Sequence, residues 1–170
     1  MVIWLIAIIL GVIGLDQLTK WLTVINMTEY QTIPIWKGVF HFTFYKNDGA
    51  AFGILDAPNQ RWIFMVFSTV AIIGLLVYLF AFRPKSRYVQ ITLAMIAGGG
   101  IGNMIDRVLL GYVIDFINFT FFPAIFNVAD SFVTVGAFML MGYLIWDIIR
   151  EYKAEQSAKA STESNNGTQE

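Results

Sequence analysis

Three aspartates between Gly98 and Ser131, namely Asp106, Asp115 and Asp130, lie in or beside strongly apolar sequence. An ionised carboxylate at mid-membrane costs about 2.5–3.5 kcal/mol on insertion scales, so such residues line a polar path, join an ion pair or do chemistry. Asp106 has Arg107 beside it and reads as half of a structural pair, whereas Asp115 and Asp130 have no obvious partner in their own segments. Two carboxylates held close cannot both ionise readily, so one keeps its proton while the other acts as a base. That arrangement can activate a water for attack on a peptide carbonyl and protonate the oxyanion and the leaving amine. The same residues would also suit a transporter or proton relay, or structural ion pairs in an assembly factor.

Residue counts narrow the chemistry. The chain has no cysteine, which excludes disulfides, thiolate metal sites and a cysteine nucleophile. Its single histidine, His41, excludes a His-Glu-x-x-His zinc helix, and neither a metal nor a cofactor is expected. A net charge of −1 gives no electrostatic footprint for nucleic acid.

The elements that must position these residues are membrane helices. Of the 170 residues 57% are hydrophobic and 14% charged, well below the roughly 25% charged of an average soluble domain, and the apolar residues fall in long blocks. Four spans are expected, at about 2–22, 62–82, 88–105 and 124–149, each near the ~20 residues needed to cross the hydrocarbon core. The first lacks a basic leader and is too long for a signal-peptide core, so it is read as a retained helix. Residues 1–150 then form one membrane-embedded domain with outer loops at 23–61 and 106–123, and polar residues 151–170 read as a disordered cytoplasmic tail.

Within this frame Asp16 and Lys20 stand at i and i+4 and can pair. The run Val39 to Tyr45 alternates, with Phe40, Phe42 and Phe44 on one face and His41, Thr43 and Tyr45 on the other, so the first outer loop is expected to form a small β-structured cap. Asn47 to Gly53 reads as a turn into a short helix, with Gly49 supplying backbone freedom and small residues against which a peptide could lie. Gly98, Gly99, Gly100 and Gly102 suit close helix approach. A phosphate loop is the rival reading, but no Gly-Lys-Ser/Thr follows them. Asn103, Asp106 and Arg107 share one side of the third helix, and Val113, Asp115, Ile117 and Phe119 one face of a strand. Asn127, Asp130 and Ser131 share a face of the fourth helix, with Asp130 roughly 9 Å along it from Ala124. The basic run Arg83 to Arg87, with Arg150, Lys153 and Lys159, places both termini in the cytoplasm by the positive-inside bias. The acidic cluster then sits at the outer ends of the helices, where Trp36 and Phe52 could gate a cleft.

Asp16-x-x-x-Lys20, Asn47-x-Gly49-Ala-Ala-Phe52, Gly-Asn103-x-x-Asp106-Arg107, Val-Ile-Asp115-Phe and Phe-Asn127-x-Ala-Asp130 together resemble the motif set of lipoprotein signal peptidase, signal peptidase II. The motifs stand in that family's order from the first helix to the fourth, and Ile114 in place of a common valine is the one small difference. The resemblance implies a four-helix aspartic endopeptidase of the bacterial plasma membrane. Such an enzyme cuts diacylglyceryl-modified prolipoproteins just before the lipidated cysteine, works among membrane lipids and is a target of globomycin. By the same resemblance Asp115 and Asp130 are the catalytic dyad. Asp16, Lys20, Asn47, Gly49, Asn103, Asp106, Arg107 and Asn127 become residues that shape the pocket, contact substrate or orient the dyad.

Overall fold

A computed structural model describes residues 2–48 and 61–166. Long apolar runs give helices α1 (Ile3–Asn26), α2 (Arg61–Val77, continued by a π-helical turn at Tyr78–Phe82), α3 (Arg87–Leu109) and α4 (Val128–Asn166). All four contain a stretch long and apolar enough to cross a membrane. The alternating segments give strands β1 (Thr32–Trp36), β2 (Phe40–Asn47), β3 (Val113–Phe119) and β4 (Ile125–Phe126). They pair antiparallel in the order β1-β2-β3-β4. The architecture is the expected one, a four-helix membrane bundle carrying a small β-structured cap.

Helix α3 is the centre of the bundle, packed against α1 on one side and α4 on the other, with α2 against it as well. Its glycines make this possible. A Cβ on Gly98 would lie 2.9 Å from the Val12 side chain, and one on Gly99 would lie 2.5 Å from the Ala129 carbonyl oxygen. At Gly102 the obstruction would be the Asp16 carboxylate itself, at 2.6 Å. The helices therefore touch backbone to backbone at the level where the polar residues sit. Leu5, Ile9, Leu79, Val89, Leu93 and Ala94 close the opposite end of the bundle. Phe44, Ile114 and Phe116 seal the sheet onto the helices beside Met27 and Val128.

Three details depart from the sequence expectations. In β2, Phe42 faces Ile117 but Tyr45 faces Asp115, so three steps on β2 match two on β3. This bulge ends the simple alternation. Phe44 packs with Ile114 and Phe116, while Tyr45 joins the Asp115 side of the sheet. Next, the fourth helix starts at Val128 and not near Ala124, because Ile125 and Phe126 pair with β3 as β4. Asp130 consequently lies in the first turn of α4. Last, α4 continues to Asn166, through most of the segment expected to be a disordered tail. The sequence Glu151-Tyr-Lys-Ala-Glu-Gln-Ser-Ala-Lys-Ala is rich in strong helix formers and holds no Gly or Pro, so a helix leaving the bundle has nothing to stop it.

Candidate active site

The site starts from a buried lysine. Lys20, 1% exposed, points from α1 into the α1–α3 contact. Its Nζ lies 2.8 Å from Asp16 Oδ2 and 3.0 Å from Asp106 Oδ2. It donates a third bond, of 2.9 Å, to Asn103 Oδ1. All three donor positions of the ammonium are used, which a lysine this deeply buried requires. The Asp16–Lys20 pair is the expected one, but Asp106 pairs with Lys20 and not with Arg107. Consecutive helical positions are about 100° apart, so α3 turns Asp106 toward α1 while Arg107 leaves in another direction. Arg107 donates to the Asn103 carbonyl at 3.4 Å and lies within electrostatic reach of Asp130 and Asp115.

The two scaffold carboxylates reach across the fold. Asp16 Oδ1 accepts the backbone N–H of Ala129 at 2.9 Å, satisfying one of the free donors at the start of α4. Asp106 Oδ2 accepts the backbone N–H of Ile114 at 3.0 Å, fixing the start of β3 against α3. Gln17 was given no role by the sequence motifs. Its amide nonetheless donates to Asp106 Oδ1 (2.9 Å), Asp16 Oδ2 (3.2 Å) and the Gly102 carbonyl (3.2 Å). The signal was present as a polar residue in an apolar helix.

From this base the order passes to two asparagines and the remaining aspartates. Asn103 Oδ1, already holding Lys20, also accepts Asn127 Nδ2 at 2.9 Å, so its own Nδ2 is directed to Asp130 Oδ1 at 2.7 Å. Asn127 is the N-cap of α4. Its Oδ1 accepts the Asp130 N–H at 2.8 Å, and Asp130 Oδ2 accepts the Asn127 N–H at 3.1 Å, a reciprocal capping box. The amide of Asn127, fully buried, donates also to Asp115 Oδ1 at 2.7 Å. Asp115 Oδ2 accepts Asn47 Nδ2 from β2 at 2.8 Å. The β2 bulge and the register of Asn47 with Val113 bring that amide within reach.

Asp115, on a strand, and Asp130, on a helix, are thus joined through Asn127 and Asn103. Burial pushes the Asp115 carboxyl up to about 7, and the negative charge of Asp130 pushes the same way. The hydrogen bonds from Asn47 and Asn127 and the charge of Lys20 oppose this. A carboxyl so placed holds a proton near neutrality and can give it up, the property of a general acid. The other expected site residues, Asp16, Lys20, Asn47, Asn103, Asp106 and Asn127, are gathered in the same network, with Arg107 at its edge. Gly49 and the rest of the turn at 49–53, with Phe52, lie outside the described residues.

Residues 8–146 match the family model described as signal peptidase (SPase) II. A lipoprotein signal peptidase of Caldanaerobacter subterraneus subsp. tengcongensis is 48% identical over 140 residues, covering 82% of this chain and 94% of that protein. The lipoprotein signal peptidase of Halothermothrix orenii is 45% identical over 137 residues, covering 81% and 92%. A solved structure titled as a bacterial membrane enzyme, determined in meso at 2.3 Å resolution, superposes with a TM-score of 0.76 at 30% identity. It covers 85% of this chain and 88% of its own.

Proposed function

This chain belongs to the signal peptidase II family, and from that membership we propose that it is an aspartic endopeptidase whose catalytic pair is Asp115 and Asp130. The family makes it a membrane-embedded lipoprotein signal peptidase acting on prolipoproteins. The observation that carries the finer reading is the joining of Asp115 and Asp130, from a strand and a helix, through the amides of Asn127 and Asn103.

Asp130 is the base. It sits at the N-terminus of α4, where the helix dipole favours a negative charge, and accepts hydrogen bonds from Asn103 Nδ2 and the Asn127 N–H. Asp115 is the acid, holding its proton up to about pH 7. Water attacks the scissile carbonyl carbon as Asp130 takes its proton, and Asp115 protonates the carbonyl oxygen to give a neutral gem-diol. Asp130 then passes its proton to the leaving nitrogen as the C–N bond breaks. Asp115 recovers a proton from the diol hydroxyl, so the pair ends as it began. The Lys20-centred base and Asn103 hold the dyad in place while the charges change.

The substrate is a diacylglyceryl-modified prolipoprotein in the bacterial plasma membrane, cut just before the lipidated cysteine. The termini are cytoplasmic, following the basic residues at Arg83 to Arg87 and Arg150, and the dyad lies near the outer leaflet, where membrane-borne substrate enters from the side. Globomycin-type cyclic peptides compete with that substrate. Asp115→Asn and Asp130→Asn are each expected to abolish cleavage of a lipidated precursor while the protein stays folded in detergent. Near-normal cleavage by either variant would remove that residue from the dyad.

A further inference from the structure

At the end of the bundle remote from the dyad, α3 begins and α4 leaves the apolar core side by side. Tyr88 stacks on Tyr143 with ring centroids 5.7 Å apart, and Tyr143 leans on Trp146 at 5.8 Å. The Arg150 guanidinium lies 5.5 Å over the Trp146 ring. Tyr143, Trp146, Arg150 and Lys153 fall at i, i+3, i+7 and i+10, so α4 presents one stripe of two aromatics followed by two cations. Asp147, about 40° round the helix from Tyr143 and about 60° from Arg150, and Glu151, about 80° from Tyr143, border that stripe on the side away from Trp146 and Lys153.

Between the helices runs a groove of about 240 Å³ lined by Tyr88, Gly142, Tyr143 and Trp146. Gly142 leaves it open, since a Cβ there would meet nothing within 4 Å. The groove lies on spanning helices and its rings face outward, Tyr88 42% and Trp146 52% exposed, so its occupant comes from the bilayer. Tyr and Trp favour the level of the headgroups. Basic residues gather at that level: Arg150 stands over Trp146 on the α4 wall, and Arg83, Lys85 and Arg87 lie exposed on the connection and at the first residue of α3. An arginine stacked on a ring still offers the edge of its guanidinium to an oxyanion.

We propose that this groove binds one anionic phospholipid, its acyl chain lying along Gly142 against the rings and its phosphate held by Arg150. The site uses no residue of the peptidase network and does not rest on the peptidase mechanism. The test is native mass spectrometry of the full chain in detergent, titrated with phosphatidylglycerol and phosphatidylcholine of identical chains. Phosphatidylglycerol should be retained several-fold better. Arg150→Gln should weaken it by about fivefold, the worth of one interfacial cation. Gly142→Leu fills the groove and should lower retention of both lipids further. Cleavage of a lipidated precursor by each variant reports folding and should stay unchanged; if Gly142→Leu fails to fold, Arg150→Gln decides alone. The proposal is overturned by equal retention of the two lipids, by phosphatidylglycerol binding indifferent to Arg150→Gln, by displacement with inorganic phosphate alone, or by a dimer through this face that retains no lipid.

Discussion

Asp115→Asn should inactivate the enzyme and at the same time make it more resistant to unfolding as the pH rises. In the folded chain the Asp115 carboxyl is pushed from 3.8 to about 7, first by burial and then by Asp130. The folded state therefore binds a proton more tightly than the unfolded state, and stability falls as pH increases from about 4 to about 7. Below that window the group is protonated in both states and costs nothing. Above it, ionising Asp115 in place costs about 4 kcal/mol at 1.36 kcal/mol per pH unit. Asparagine cannot ionise, so this loss disappears in the variant. The substitution also sets an amide donor against Asn47 or Asn127, a penalty of about 1–3 kcal/mol that does not depend on pH. The clean quantity is therefore the change in the difference between wild type and variant across the pH range. Thermal unfolding in detergent at pH 4, 6 and 8 measures it. At about 2–4 °C per kcal/mol for a chain of this size, the variant should gain about 8–16 °C on the wild type between pH 4 and pH 8. Parallel curves would refute the claim that Asp115 is held protonated by its surroundings. The same property bounds activity, which should fall about tenfold per pH unit above about 7 as the acid is lost.

Lys20→Met leaves Asp16 and Asp106 facing each other with no cation between them, and breaking such a buried arrangement costs about 3–5 kcal/mol. Its melting temperature in detergent should fall sharply, with loss of activity. Gly99→Val puts a Cβ into the Ala129 carbonyl and forces α3 from α4, at a cost of about 1–3 kcal/mol from overpacking. Because that contact sets the distance from Asn103 to Asn127 and Asp130, the variant that folds should lose kcat, with a smaller change in KM.

What the sequence disclosed and what it hid divide along physical lines. Helices were legible because a bilayer demands long apolar runs, and the Asp16–Lys20 pair because both ends lie on one helix face. The partner of Asp106 was not. The nearest cation in sequence is Arg107, but the nearest in space is Lys20, and only the glycine contact of α1 with α3 decides between them. The β2 bulge was hidden for a similar reason. Alternation describes an isolated strand, whereas Phe44 is drawn to Ile114 and Phe116 by packing under the sheet, and that shift gives Asn47 its position on Asp115. The start of α4 was readable in principle. Asn127-Val-Ala-Asp130 is a capping box, and taking it as one would have put Asp130 in the first helical turn. The role of Gln17 was not legible because no local pattern pairs a glutamine with a carboxylate on another helix as well as with the one beside it.

The central claim, that Asp115 and Asp130 act together on one carbonyl, is tested most directly by a structure of the enzyme with a lipidated peptide that carries a hydroxyl-bearing tetrahedral carbon in place of the scissile carbonyl. The account predicts that hydroxyl within hydrogen-bond reach, about 2.6–3.2 Å, of a carboxylate oxygen from each aspartate. A bound peptide whose tetrahedral centre touches only one of them, or lies away from both, would contradict it.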